Sequence, residues 1–185
     1  MSREIRKPKG KLINPTFFVF CEGKTEELYI KFLKSKYRLP IDIDTKIAGN
    51  RINASHIRNY KSQKQKHPKD RTYLMYDLDA PKMLEKLQGI NNTFLISSNP
   101  CFELWYLLHF QELTGEIDSN HCLERLQQQF PSFRKEILDE KLKFVLDSKQ
   151  EKAIHRAMKL EKYKNPSSEV FRLIQDLEEV KKATV

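Results

Sequence analysis

Residues 16–21, "TFFVFC", are apolar at every position after Thr16 and run directly into Glu22 and Gly23. A β-branched and aromatic run without alternation marks a strand covered on both faces. Strands of that kind belong inside parallel sheets, and parallel neighbours need crossover connections, usually helices. The chain meets this demand at once. In "TEELYIKFLKSKY" (25–37), Leu28, Tyr29, Phe32, Leu33 and Tyr37 recur at helical spacing. Thr25 is placed to cap that helix, and Glu26 and Glu27 sit in its first turn, where the helix dipole favours acids.

The alternation continues. "PIDIDTKIA" (40–48) reads as a half-exposed strand, and 51–70 as a polar helix stopped near Pro68. "RTYLMYDLDAP" (71–81) is a second apolar strand, this one ending in Asp77 and Asp79. A short helix over 82–88 precedes a further strand, "NTFLISS". "NPCFELWYLLHF" (99–110), apolar nearly all round, is a buried helix with Trp105 in the core. Beyond residue 111 only helical patterns appear. The phrase N-P-x-x-E occurs at 99–103 and 165–169 and reads as two unrelated helix starts. The order predicts an α/β fold with a mainly parallel sheet flanked by helices. Its parts are a basic N-terminal arm (1–15), an α/β core (16–110) and a helical C-terminal region packed on it (111–185).

In open parallel sheets the ligand crevice lies beyond the carboxyl ends of the strands. Glu22, Asp77 and Asp79 all stand at such ends, and neighbouring strands would bring them together. Two like charges about 4 Å apart repel by roughly 4 kcal/mol at an effective dielectric of 20. Such a cluster needs protons or a hard cation, and Mg²⁺ or Mn²⁺ is the natural neutraliser at neutral pH. Gly23 leaves room for backbone to approach that site. Glu26 reads either as a further metal ligand or as a first-turn acid. Glu103, a carboxylate in an apolar helix, must join the site or a buried ion pair. Lys24 reads as a phosphate contact or a solvated lysine, and His109 as a core histidine rather than a catalyst.

Charge points to the partner. The chain carries a net charge of +9, which attracts polyanions. The densest basic run outside the N-terminus is 56–71, with Arg58, Lys61, Lys64, Lys66, Lys69 and Arg71 against the single acid Asp70. It is expected to be the principal nucleic-acid contact, entering beside the acidic crevice; a solvated helix face is the alternative. With 39% apolar and 32% charged residues the core is modest, but 11 Phe and 7 Tyr argue against disorder. No apolar run is long enough to span a membrane, and the N-terminus lacks a secretory pattern. The three cysteines lack CxxC spacing and read as reduced thiols of a cytoplasmic protein.

The motifs "FCEGKTE", "YDLDA" and "SNPCFELWYLLHF", in that order, resemble the RloB-like family, linked to bacterial restriction and abortive phage infection. The late "YKNPSSEVFRLIQDL" extends the likeness to roughly residues 16–180. The resemblance implies a Toprim-type core, with Glu22 as its glutamate and Asp77 and Asp79 as its D-x-D pair. Here the loop "EGKTE" is shorter than the "EGxxTE" frequent in the family. The implied activity is a Mg²⁺- or Mn²⁺-dependent nuclease, acting on DNA or RNA (tRNA included) as the effector of an anti-phage system. An ATPase of the ABC or AAA type is the implied partner. The alternatives are a non-catalytic nucleic-acid-binding or adaptor subunit of such a complex, and nucleotidyl transfer on the same site.

Overall fold

A computed structural model describes residues 13–80 and 82–183; most of the expected basic arm lies outside them. Strand β1 (Thr16–Cys21) leads to helix α1 (Lys24–Tyr37), and β2 (Asp42–Ile47) to α2 (Ala54–Ser62). Next come β3 (Arg71–Asp77), α3 (Met83–Gln88), β4 (Phe94–Asn99) and α4 (Glu103–Leu108). The remainder is α5 (Ser119–Gln129), α6 (Glu140–Ser148), α7 (Gln150–Met158), β5 (Ser167–Ser168) and α8 (Val170–Lys182).

The sheet order is β2-β1-β3-β4-β5, with the first four strands parallel and β5 antiparallel to β4. Two hydrophobic clusters explain why β1 shows no alternation. Phe17, Val19 and Cys21 face one core with Tyr29, Ile30 and Leu33 of α1, while Phe18 and Phe20 face another with Ile57, Met83 and Leu87. Both faces are covered, so every position is apolar. The first core continues without a break into α4 to α8. The C-terminal region therefore shares the core and also supplies the fifth strand.

The chain passes from β1 outward to β2 along one face, then back across β1 to β3 along the other. This reversal creates a switch point between β1 and β3, and the carboxyl ends of those strands are where open α/β sheets place their ligands.

Four local expectations need correction. Gly23, not Thr25, is the N-cap of α1, and the Thr25 hydroxyl accepts instead from the Glu136 N–H at 3.3 Å. Helix α2 stops at Ser62, well before Pro68, because nothing apolar follows Tyr60 to be buried. The region beyond 111 does hold a strand, β5, whose two serines are too few to show any period. The two N-P-x-x-E phrases are not unrelated: Ser98 pairs with Ser168 and Asn99 with Ser167, so they lie side by side, and Glu103 and Glu169 are both buried.

Removing a large side chain from the centre of β1 should be costly. Phe20→Ala should lower unfolding free energy by about 3–5 kcal/mol in urea titrations. Phe144→Ala, at a residue 73% exposed, should shift it by no more than about 0.5 kcal/mol.

Candidate active site

The crevice is built from four short pieces of backbone. β1 ends at Cys21, and the Glu22 N–H continues the ladder by donating to Met75 O of β3 at 3.0 Å. The Glu22 side chain then turns back across the switch point, where its Oε2 accepts from the Asp77 N–H at 2.9 Å. One carboxylate oxygen thus ties together the carboxyl ends of β1 and β3. Gly23 follows, and a Cβ there would lie 3.3 Å from Glu26 Oε2. A side chain there would press on the Glu26 carboxylate, which would have to give by a few tenths of an ångström.

Asp77 ends β3 and points inward. Its Oδ1 is shut off from solvent and has no hydrogen-bond partner. Burial, reinforced by Glu26, Cys101, Glu22 and Glu103, pushes its pKa up to about 10. Glu26 is buried, and burial with help from Glu103 and Glu22 raises it to about 7. Glu22 is raised as well, mainly by burial, with Asp79 adding to the effect. Glu103, 4% exposed, lies 3.5 Å from Lys135 Nζ. Both options left open for Glu103 are therefore realised together, since it faces the acids and pairs with a lysine.

The structure brings Glu22, Glu26, Asp77 and Glu103 within electrostatic reach of one another. Asp79 is different: it is exposed and acts on the cluster through Glu22. The reason is local, because the chain leaves the sheet after the Leu78 N–H donates to Ser98 O. Among the described residues no three His, Cys, Asp or Glu side chains form a metal cage as oriented. What suits a hard cation is the donor chemistry: an orphaned carboxylate oxygen on Asp77, flanked by three acids with too few protons or bases to balance them. Lys24 is engaged elsewhere, 2.6 Å from Glu27. His109 is buried with Nδ1 2.8 Å from Trp105 O, and burial lowers its pKa to about 4. It lies in the core, as its sequence setting suggested.

Lys135 went unrecognised in the sequence. The signal was available in "PSFRKE" (131–136), where a lone Phe in a polar stretch marks an anchored loop.

The basic segment does not enter beside the crevice. Helix α2 returns the chain from the carboxyl to the amino end of the sheet, so 61–71 lies at the opposite pole. With about 3.3 Å of rise per residue, Thr72 stands about 17 Å from Asp77 along β3. Three of its bases are also occupied. Lys61 donates to Thr72 Oγ1 at 2.8 Å, Lys64 pairs with Asp44 at 3.0 Å, and Arg71 pairs with Asp176 at 2.8 Å. Tyr60, the expected stacking surface, donates to Asp44 and packs edge-on against Phe20. Among the described residues Arg58, Lys66 and Lys69 are exposed and without an ion-pair partner.

An α/β protein with buried acids at its switch point is the class that the fold and site define. The family model described as RloB-like protein matches residues 17–177, and the chain belongs to that family. The core is accordingly of the Toprim-like α/β type. No curated protein matches the chain, and no solved structure does.

The raised acids give a pH signature in the metal-free chain. Asp77 rises on folding from 3.8 to about 10, so folding favours its neutral form. Below ~4 the group is protonated in both states and costs nothing; above that its deprotonation in the unfolded chain lowers stability until the folded group also ionises. In chelator, stability should therefore fall as pH climbs through neutrality. Asp77→Asn should flatten that fall and raise the melting midpoint at pH ~8; two superimposable pH profiles would contradict the assigned environment.

Proposed function

We propose that the chain is a divalent-metal nuclease cutting DNA or RNA phosphodiesters, and that it serves as the effector of a bacterial anti-phage abortive-infection system. The observation that carries the reading is the buried, unpartnered Asp77 oxygen among Glu22, Glu26 and Glu103 at the switch point. Binding a polyanion calls for bases, and clustered acids at that place oppose it unless a cation intervenes. Glu22 and Asp77 would hold Mg²⁺ or Mn²⁺, with Glu26 beside them and Asp79 at the exposed rim. When bound, the metal supplies Lewis-acid stabilisation of the phosphoryl oxygens. Glu22, through its remaining oxygen, orients the attacking water, while its bond to the Asp77 N–H fixes both carboxylates to the sheet. Family membership supports the defence role and an ATPase partner of the ABC or AAA type. Arg58, Lys66 and Lys69 are the bases left to grip nucleic acid at the far pole. The proposal places its action in the cytoplasm; no described helix is long and apolar enough to cross a membrane.

Purified full-length chain with Mn²⁺ or Mg²⁺ should cleave labelled DNA or total RNA, and chelator should stop it. Glu22→Gln and Asp77→Asn should each reduce the rate by about a hundredfold or more. Mn²⁺ should raise the melting midpoint of the wild type and leave that of Asp77→Asn nearly unmoved. Cleavage that survives both substitutions would discard the site. A chain that binds oligonucleotide but neither cleaves it nor takes up Mn²⁺ would be the adaptor subunit instead.

A further inference from the structure

We infer that Lys135 is the phosphate-contacting residue of this site, carried over the acid cluster by the 131–139 segment of the helical region. The inference rests on the nuclease reading and adds a residue from outside the α/β core.

The segment between α5 and α6 has no regular structure, yet it is pinned at three points. Phe133 is 1% exposed and packs edge-on against Tyr106 of α4, with ring centres 6.0 Å apart. The Glu136 N–H reaches Thr25 Oγ1 in the first turn of α1. Between those two pins Lys135 Nζ lies 3.5 Å from Glu103 Oε1. All three anchors belong to α1 or α4, the helices that carry Glu26 and Glu103. Glu136 also adopts φ 59°, a left-handed conformation that non-glycine residues seldom take. A strained turn directly after the lysine is what a placed residue requires, and a slack loop would relax it.

Three lysines near the cluster are committed, while Arg51 and Lys82, on the neighbouring 49–51 and 78–82 turns, are exposed and make no ion pair with the acids among the described residues. Lys24 and Lys31 both bind Glu27, at 2.6 and 3.0 Å, and Lys86 donates to Asn50 O at 2.8 Å. Lys135 has only its long contact with Glu103, and its side chain is 53% exposed. An ammonium group has three donors, so most of its capacity faces the open side of the crevice. A phosphodiester arriving there meets four acids and, already in contact with one of them, this loosely held cation. Charge building on the non-bridging oxygens in the transition state would be met by a donor already in place.

The test compares full-length wild type with Lys135→Met and Lys135→Arg. Lys135→Met should lower kcat for oligonucleotide cleavage by about a hundredfold, with Arg restoring part of it. By calorimetry its affinity for Mn²⁺ should be unchanged or tighter, since a cation has left an acidic site. Binding to a labelled single-stranded oligonucleotide in Ca²⁺ should lose about 0.7 from its log–log salt slope. A purely structural ion pair would instead lower the melting midpoint and leave kcat and slope alone. Wild-type cleavage matched by Lys135→Met would overturn this inference and spare the nuclease reading. A wild type that neither cleaves nor binds Mn²⁺ would overturn both.

Discussion

The hydrogen bond from the Asp77 N–H to the Glu22 carboxylate joins the two central strands at the point where the chain reverses its winding. Beyond that point the sheet ladder has no further pairs between β1 and β3, and the two backbones diverge into α1 and the 78–82 turn. A side-chain oxygen takes over where backbone pairing ends. The site's acidity follows from this junction, because an acceptor strong enough to hold the strand ends brings charge into a half-buried crevice. Asp77, Glu26 and Glu103 then add charge that burial cannot accommodate without protons, a cation or Lys135.

Much of the fold was legible because packing on both faces leaves a plain trace. The unbroken apolar runs of β1 and β3 and the helical spacing of α1 follow directly from which faces are covered. Glu22 and Asp77 were legible for the same reason, since each interrupts a buried run. What the sequence withheld depended on contacts between distant segments. Thr25 looks like a cap until Glu136 claims its hydroxyl, and Ser167 and Ser168 look like loop until β4 pairs with them. The basic run at 56–71 misled because nearness in sequence to Asp77 was read as nearness in space. A parallel strand separates the two ends by its full length.

The C-terminal region is more than a cover. Its helices share one hydrophobic cluster with α1 and α4, its serines complete the sheet, and its 131–139 segment reaches the acids. An α/β core truncated near residue 110 would expose Trp105, Leu107 and Leu108, all now at 0% exposure. Core and appendage therefore share one hydrophobic interior, and residues of both stand at the acid cluster.

The buried acids and the exposed bases of the 58–69 segment stand toward opposite ends of the strands. Arg58, Lys66 and Lys69 lie toward the amino ends, whereas the carboxyl ends hold the buried acids with Lys135 beside them. If the chain is the nuclease proposed above, a duplex held by those bases and reaching the acids would run along the flank of the sheet. At 3.4 Å per base pair, the ~17 Å between the poles corresponds to about five base pairs. Fragments shorter than that would have to choose one pole or the other, which sets a lower bound on the length of duplex that engages both.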